Sequence, residues 1–224
     1  MAEKWAGLIF HGIGEPKREL EPGEAAYWIS TAFFEDILDA VLALPAPYRV
    51  RLSFDDGNRS DHDIALPNLL ARGLKADFFV LTGRLGQPGS LDVTQIKALQ
   101  AAGMGIGSHG VDHRNWTKLD PDALHHELEA SRNALETICG RSIQMAGVPF
   151  GAYSARVLRS LAATGYACAY TSDGGSMHPD AFLRPRSSVR RYMKLEDVID
   201  ILKSRIAFKG RLRRSLGMAR KRFF

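Results

Sequence analysis

The sequence predicts an α/β fold, and three observations carry that reading. Short apolar runs of strand length alternate with amphipathic helical stretches about seven times along the chain, the pattern of a parallel sheet with helices packed outside it. The 224 residues, 45% hydrophobic and 25% charged, suit one large domain with a sizeable core. Several of the apolar runs end directly on polar, glycine-bearing clusters. The pattern alone leaves a barrel and a doubly wound open sheet both open.

In chain order, a first strand is expected over residues 5–10, ending at His11-Gly12, with a polar loop over 13–23. Phe33, Phe34, Ile37, Leu38 and Val41 recur at helical spacing, placing a helix from Ser30 or Thr31 to Ala43, which Pro45 and Pro47 end. A strand over 49–54 leads into Asp55-Asp56-Gly57, and a helix over 61–71 stops at Gly73. A short buried strand over 76–81 and a helix over 92–102 follow, then a strand over 104–108 with His109 just past its end. A long helix is expected over 121–139, capped by Asp120 and ended by Gly140. A strand over 143–148 runs into Pro149-Phe150-Gly151, a helix spans 154–164, and a strand spans 166–171. Residues 183–189 read as an edge or irregular strand because of Pro185, and 195–206 as the last helix.

Composition narrows the class. The two cysteines, Cys139 and Cys168, form neither a disulfide framework nor a CxxC pair, which fits buried thiols in a reducing compartment. The first ten residues lack the long apolar stretch of a secretory signal, and no run of about 18 apolar residues exists, so a cytoplasmic protein is expected. Net charge is +5, but Lys209, Arg211, Arg213, Arg214, Arg220, Lys221 and Arg222 supply seven positive charges in the last stretch, leaving a net of −2 elsewhere. The expected division is therefore a single domain over 1–207 and a basic tail over 208–224. Leu212, Leu216, Met218, Phe223 and Phe224 interleave with the charges. Such a segment is a candidate for peripheral contact with an anionic membrane, against the plainer reading of a solvated terminus. No nucleic-acid recognition motif accompanies the charge, so no nucleic-acid partner is expected.

The polar clusters fall where chemistry gathers. Asp55 and Asp56, His109, Pro149-Phe150-Gly151 and Asp173 each follow a different expected strand, and in parallel β/α architectures the carboxyl ends of the strands share one face. His109 and His113 lie four apart, which on a helical turn brings two imidazoles to one ion. A carboxylate from elsewhere would complete a two-His, one-carboxylate site for Zn²⁺ or another divalent ion. Neither the HxxxH pair nor the Asp-Asp-Gly turn is specific alone; together, each after an expected strand, they are much stronger.

Leu52-Ser53-Phe54-Asp55-Asp56-Gly57, Ser108-His109-Gly110-Val111-Asp112-His113 and Val148-Pro149-Phe150-Gly151 resemble the first, second and part of the third motif of polysaccharide deacetylases, the NodB-homology group (carbohydrate esterase family four). The resemblance covers about residues 50–172 and extends to the stretches around Ala76-Asp77-Phe78-Phe79 and Gly103-Met104-Gly105-Ile106-Gly107. It implies a distorted (β/α)7-type barrel and a hydrolase that removes N-acetyl groups from a carbohydrate, a polysaccharide or a lipid-linked precursor. By the same resemblance Asp56, His109 and His113 bind the metal: Zn²⁺, or Co²⁺, Ni²⁺ or Mn²⁺. Asp55 is then the general base, and a backbone N–H near Phe150 or Gly151 holds the oxyanion.

The departures from that pattern are specific. The third motif's arginine, which orients the base, is Gly147 here, so Arg184, Arg186, Arg190 and Arg191 become candidates, with Arg186 and Arg190 favoured. The late histidine that serves as acid is missing. His178 lies in a loop, and His11, at the end of the first strand, is the preferred acid or substrate ligand. Asp77 is a candidate partner for a ligand histidine or a solvent-facing residue. Asp173 is a candidate support for a histidine or for sugar, or equally a turn residue, and Trp116 a sugar platform or a core residue. Two other readings keep the fold: a deformylase or amidohydrolase of a smaller substrate, and a non-catalytic carbohydrate-binding protein.

Overall fold

The computed structural model of the chain describes residues 5–46, 48–203 and 217–221. Strand β1 (Trp5–Phe10) is followed by the short pair β2 (Gly12–Ile13) and β3 (Trp28–Ile29), which enclose a loop. Helix α1 (Thr31–Leu42) is capped by Ser30 Oγ, which accepts from the Phe33 N–H. Then come β4 (Val50–Phe54), α2 (Leu66–Ala71), β5 (Ala76–Val80), α3 (Val93–Ala101), β6 (Gly105–Ser108) and α4 (Pro121–Cys139). Asp120 caps α4 and the left-handed Gly140 ends it, as the sequence led one to expect. The chain continues through β7 (Met145–Gly147), α5 (Ala155–Ala163), β8 (Cys168–Thr171), β9 (Ser176–Met177), β10 (Leu183–Pro185), β11 (Ser187–Ser188) and α6 (Leu195–Leu202).

The main sheet runs β10-β8-β7-β6-β5-β4-β1-β11, parallel throughout, with β9 added antiparallel to β1. The two ends of that path, β10 and β11, are separated in sequence only by Arg186, so the sheet curls into a nearly closed barrel. A doubly wound open sheet is thereby excluded. The expected strand over 183–189 is these two short strands, one on each lip of the seam. The expected helix over 61–71 begins with a π-helical turn at Asp61–Ala65 before α2.

Strand alternation divides the core in two. Leu8, Phe10, Leu52, Phe54, Phe78 and Val80 point outward to the helices, where Phe54 stacks on Phe78 and Phe10, and Phe34 of α1 closes the cluster. Inside the barrel, Phe79, Tyr170, Met177 and Cys168 fill the middle. Below them Arg51 and the buried Asp77 form an ion pair (2.5 and 2.8 Å). Asp77 therefore supports no ligand histidine and does not face solvent; it plugs the amino end of the barrel. Trp116 is fully buried, a core residue rather than a sugar platform. Cys139 and Cys168 are buried free thiols. Among the described residues no helix is long and apolar enough to cross a membrane. Most of the expected basic tail lies outside the described residues. Residues 217–221 are helical, and from them Lys221 Nζ reaches Asp173 Oδ1 (2.7 Å) and the Gly151 carbonyl (3.0 Å).

Candidate active site

Every candidate residue that follows a strand sits at the carboxyl end of the barrel. Asp55 and Asp56 extend β4, His109 extends β6, and His11 extends β1. Among the described residues, three other than glycine have a left-handed backbone, Asp56 (φ 78°), His113 (φ 52°) and Phe150 (φ 58°), and all three line one cavity of about 350 Å³. Strained backbone of this kind is held only where surrounding structure over-determines it, and it concentrates at functional sites.

His109 and His113 are not on a helical turn. Residues 109–113 form an irregular loop with Gly110 at φ 88°, and the buried Glu127 of α4 braces it by accepting from the Val111 and Asp112 N–H groups (2.8 and 3.2 Å). A Cβ at Gly110 would lie 2.5 Å from Glu127 Oε2, so glycine is what lets that carboxylate approach. Glu127 sits on the apolar stripe Leu124, Leu128, Ser131, Leu135 of α4; an acid on a core-facing stripe was the signal for this role.

The loop turns both imidazoles toward Asp56. Asp56 Oδ1 lies 3.4 Å from His109 Nε2 and 3.6 Å from His113 Nε2. Tetrahedral bonds of about 2.1 Å would place ligand atoms about 3.4 Å apart, so the spacing fits a divalent ion. Asp56 Oδ1 is buried and has no hydrogen-bond partner among the described residues, as an oxygen meant for a cation would be. Each histidine is held by its other nitrogen. His109 Nδ1 donates to the Gly147 carbonyl (2.8 Å) and His113 Nδ1 to Glu21 Oε2 (2.9 Å), an arrangement in which both Nε2 atoms could serve a metal ion.

Asp55 is nearly fully buried, and Arg186, wholly buried, grips it with two bonds: Nη1 to Oδ1 (2.8 Å) and Nη2 to Oδ2 (2.9 Å). Arg186 also donates to Ser53 Oγ (2.8 Å) and lies over Phe79. Gly147 explains why the arginine comes from the seam. A Cβ there would meet Phe79 at 2.9 Å and His109 Nδ1 at 3.0 Å, whereas the bare Gly7 of β1 makes room for Arg186, whose Cγ a Cβ would meet at 2.8 Å. Burial alone would raise the Asp55 carboxyl, but Arg186 and then His109 hold it below its ordinary value. Burial likewise opposes ionisation of Asp56, yet His109, His11 and His113 keep it well below the usual range.

The other candidates divide. His11 lines the cavity beside Tyr27, with Nδ1 buried and unpartnered among the described residues. Burial lowers its pKa despite the opposing charges of Asp56 and Asp55, so it stands as the neutral imidazole at neutral pH. Pro149, Phe150 and Gly151 form a tight turn after β7; Phe150 packs on His113 and lines the cavity with Gly151. Arg190 is exposed and stacks on Tyr27 and Tyr192; the guanidinium bonded to Asp55 is that of Arg186. Asp173 accepts from Thr171 Oγ1 (2.8 Å) and Lys221, not from a ligand histidine. His178 is exposed. Glu21 carried no sequence signal, since loop residues have no periodicity to mark them.

Asp61, in the π-helical turn, is fully buried, and neither carboxyl oxygen has a partner among the described residues. Burial, then the charges of Asp56 and Asp55, raises its pKa well above the ordinary value. A carboxyl with a raised folded pKa contributes stability at low pH that is lost as pH rises through that pKa. Asp61→Asn is therefore expected to be more stable than wild type at pH 7, by about 1–3 kcal/mol, with the gap closing toward pH 4. Thermal melts across that range check it; a gap that does not change with pH counts against an ionising Asp61.

Residues 45–169 match the sequence model described as polysaccharide deacetylase. Over 186 residues the chain is 26% identical to "Putative polysaccharide deacetylase YxkH" of Bacillus subtilis (strain 168), covering 77% of this chain and 66% of that protein. Over 121 residues it is 28% identical to "Putative polysaccharide deacetylase YheN" of the same organism, covering 52% and 42%. The chain thus spans under two thirds of the length of these curated relatives. Among solved structures, the Streptococcus pyogenes deacetylase PplD in complex with acetate superposes with a TM-score of 0.77 at 22% identity, over 90% of this chain and 99% of that one. IcaB from Ammonifex degensii gives 0.74 at 20%, over 90% and 97%. At those identities the structures speak to the fold, and the barrel is theirs.

Proposed function

The chain belongs to the polysaccharide deacetylase family, and from that premise we propose that it is a metal-dependent hydrolase removing N-acetyl groups from a carbohydrate, a polysaccharide or a lipid-linked glycan precursor. One observation carries the reading: the Asp56, His109 and His113 ligand atoms, all within 4.8 Å of one another, share the floor of a cavity with an ionised Asp55 gripped by Arg186.

A divalent cation bound by Asp56 Oδ1 and the two Nε2 atoms, Zn²⁺ or alternatively Co²⁺, Ni²⁺ or Mn²⁺, would supply Lewis-acid polarisation of the acetamide carbonyl and acidify the attacking water. Asp55 accepts that water's proton at a carboxylate oxygen, and Arg186 fixes its orientation and keeps it ionised. The Gly151 N–H already donates to the Val148 carbonyl (3.0 Å), so the oxyanion donor falls to the Phe150 N–H, with Pro149 and Gly151 shaping its turn. The departing amine needs a proton. Asp55, carrying one beside Arg186, is strongly acidic and placed to return it. Neutral His11 on the cavity wall serves as a hydrogen-bond partner for substrate rather than as a standing acid.

Wild-type protein, dialysed and reloaded with Zn²⁺, is expected to hold about one equivalent and to release acetate from N-acetylated oligosaccharides. His109→Ala is expected to lose both. Wild type that takes up no metal would remove the reading.

The basic segment after residue 207 is read as a peripheral anchor that keeps a cytoplasmic enzyme beside lipid-linked substrate, on the strength of its seven cations and interleaved apolar residues. A chain cut at 207 that still co-sediments with anionic vesicles would remove that role.

A further inference from the structure

Resting on the metal-site reading above, we infer that Glu21 is a positioning residue of that site: its carboxylate aims the His113 imidazole, and through it the loop walling the cavity is tied to metal binding.

The two ligand histidines solve one problem differently. His109 follows directly from β6, and a backbone carbonyl, that of Gly147 on the neighbouring strand, receives its Nδ1. His113 ends an irregular loop with a left-handed backbone (φ 52°), so no regular element sets the aim of its ring. The partner for its Nδ1 is Glu21 Oε2 at 2.9 Å, from 92 residues upstream. The carboxylate oxygen accepting from Nδ1 fixes the plane of the ring and turns Nε2 toward Asp56 Oδ1, 3.6 Å away.

Glu21 is itself held. Its other oxygen, Oε1, pairs with Arg84, just after β5. Its own N–H donates to Glu24 Oε2 (2.9 Å), and Glu24 also accepts from Trp28 Nε1 (3.2 Å) and from Arg18. Arg18 reaches Asn58 Oδ1 (2.9 Å), and Asn58, two residues past Asp56, donates to the His11 carbonyl (3.1 Å). A polar chain therefore runs from one metal ligand's loop, through the cavity wall of Glu21, Pro22, Gly23, Glu24 and Tyr27, to the other's.

The test is Zn²⁺ affinity, measured by competition with a chromogenic chelator, together with the visible spectrum of Co²⁺-loaded protein. Glu21→Ala is expected to weaken Zn²⁺ binding about 10–100-fold and to change the Co²⁺ bands. Glu21→Gln, which keeps an acceptor oxygen in place, is expected to recover most of the affinity. Arg18→Ala, which loosens the loop but leaves the Glu21–His113 contact itself in place, is expected to weaken Zn²⁺ binding by clearly less than Glu21→Ala does. Wild-type affinity in Glu21→Ala overturns the inference alone. So does an equal loss in Arg18→Ala, since loop order rather than the imidazole contact would then be responsible. Absence of Zn²⁺ uptake by wild type overturns it together with the hydrolase reading.

Discussion

Asp55→Asn is expected to lower kcat by about 10²–10⁴-fold while Zn²⁺ still binds. The amide has the carboxylate's shape and keeps an acceptor for Arg186, but it cannot take a proton from water at neutral pH. None of the three ligand positions is altered. A variant that retained full acetate release with its metal in place would strip Asp55 of the base role. Circular dichroism at the assay temperature has to accompany the kinetics, because the buried Arg186 loses its counter-charge in this variant. His11→Ala gives the contrast: a neutral hydrogen-bond partner for substrate is expected to affect KM more than kcat. Loss of kcat as deep as in Asp55→Asn, at unchanged KM, would make His11 the proton donor instead.

Arg186→Leu carries the second large effect, on stability and chemistry together. The guanidinium is fully buried, bidentate to Asp55, bonded to Ser53, and packed over Phe79 and Tyr170 at the seam that closes the barrel. Removing one partner of such a pair leaves a buried charge without compensation, at about 3–5 kcal/mol, which for a chain of this size lowers Tm by on the order of 10 °C. The pH profile should move with it. Asp55 must be ionised to accept a proton, and Arg186 depresses its pKa against the opposing effect of burial. Without Arg186 the carboxyl titrates at higher pH, so the acid limb of kcat/KM shifts upward. Arg186→Lys restores charge but not the two-pronged geometry, and is expected to fall between. Unchanged melting and an unmoved acid limb in Arg186→Leu would show that the pair matters to neither.

Much of this was legible beforehand because periodicity and punctuation are local. The order of strands and helices, the Asp120 and Gly140 caps, and the placement of Asp55, Asp56 and His109 just past strand ends all follow from short-range patterns. What failed to show depends on closure. Arg186 meets Asp55 across 131 residues, because β10 and β11 pair with opposite ends of one sheet; among four neighbouring arginines nothing local singled it out from Arg190. The HxxxH spacing suggested a helical turn, but Gly110 and the buried Glu127 make an irregular loop instead. From sequence, Asp77 is open between a partner for a ligand histidine and a solvent-facing residue, and in the fold it is neither, since it is buried against Arg51 at the barrel's other end.

The glycine at position 147 also constrains which sequences can be neighbours of this one. A side chain at 147 would crowd Phe79 and the His109 ring, 2.9 and 3.0 Å from its Cβ, and one at Gly7 would crowd Arg186, 2.8 Å from its Cβ. Positions 7, 79, 147 and 186 therefore form a coupled set in which single changes do not add. A stepwise mutational route between the two placements of the guanidinium passes through a protein whose Asp55 has no arginine at all, or through one in which two compete for the same space. Placing an arginine at 147 by changing β7 alone would meet the same barrier, and a change that alters β1, β7 and the β10–β11 seam together would avoid it.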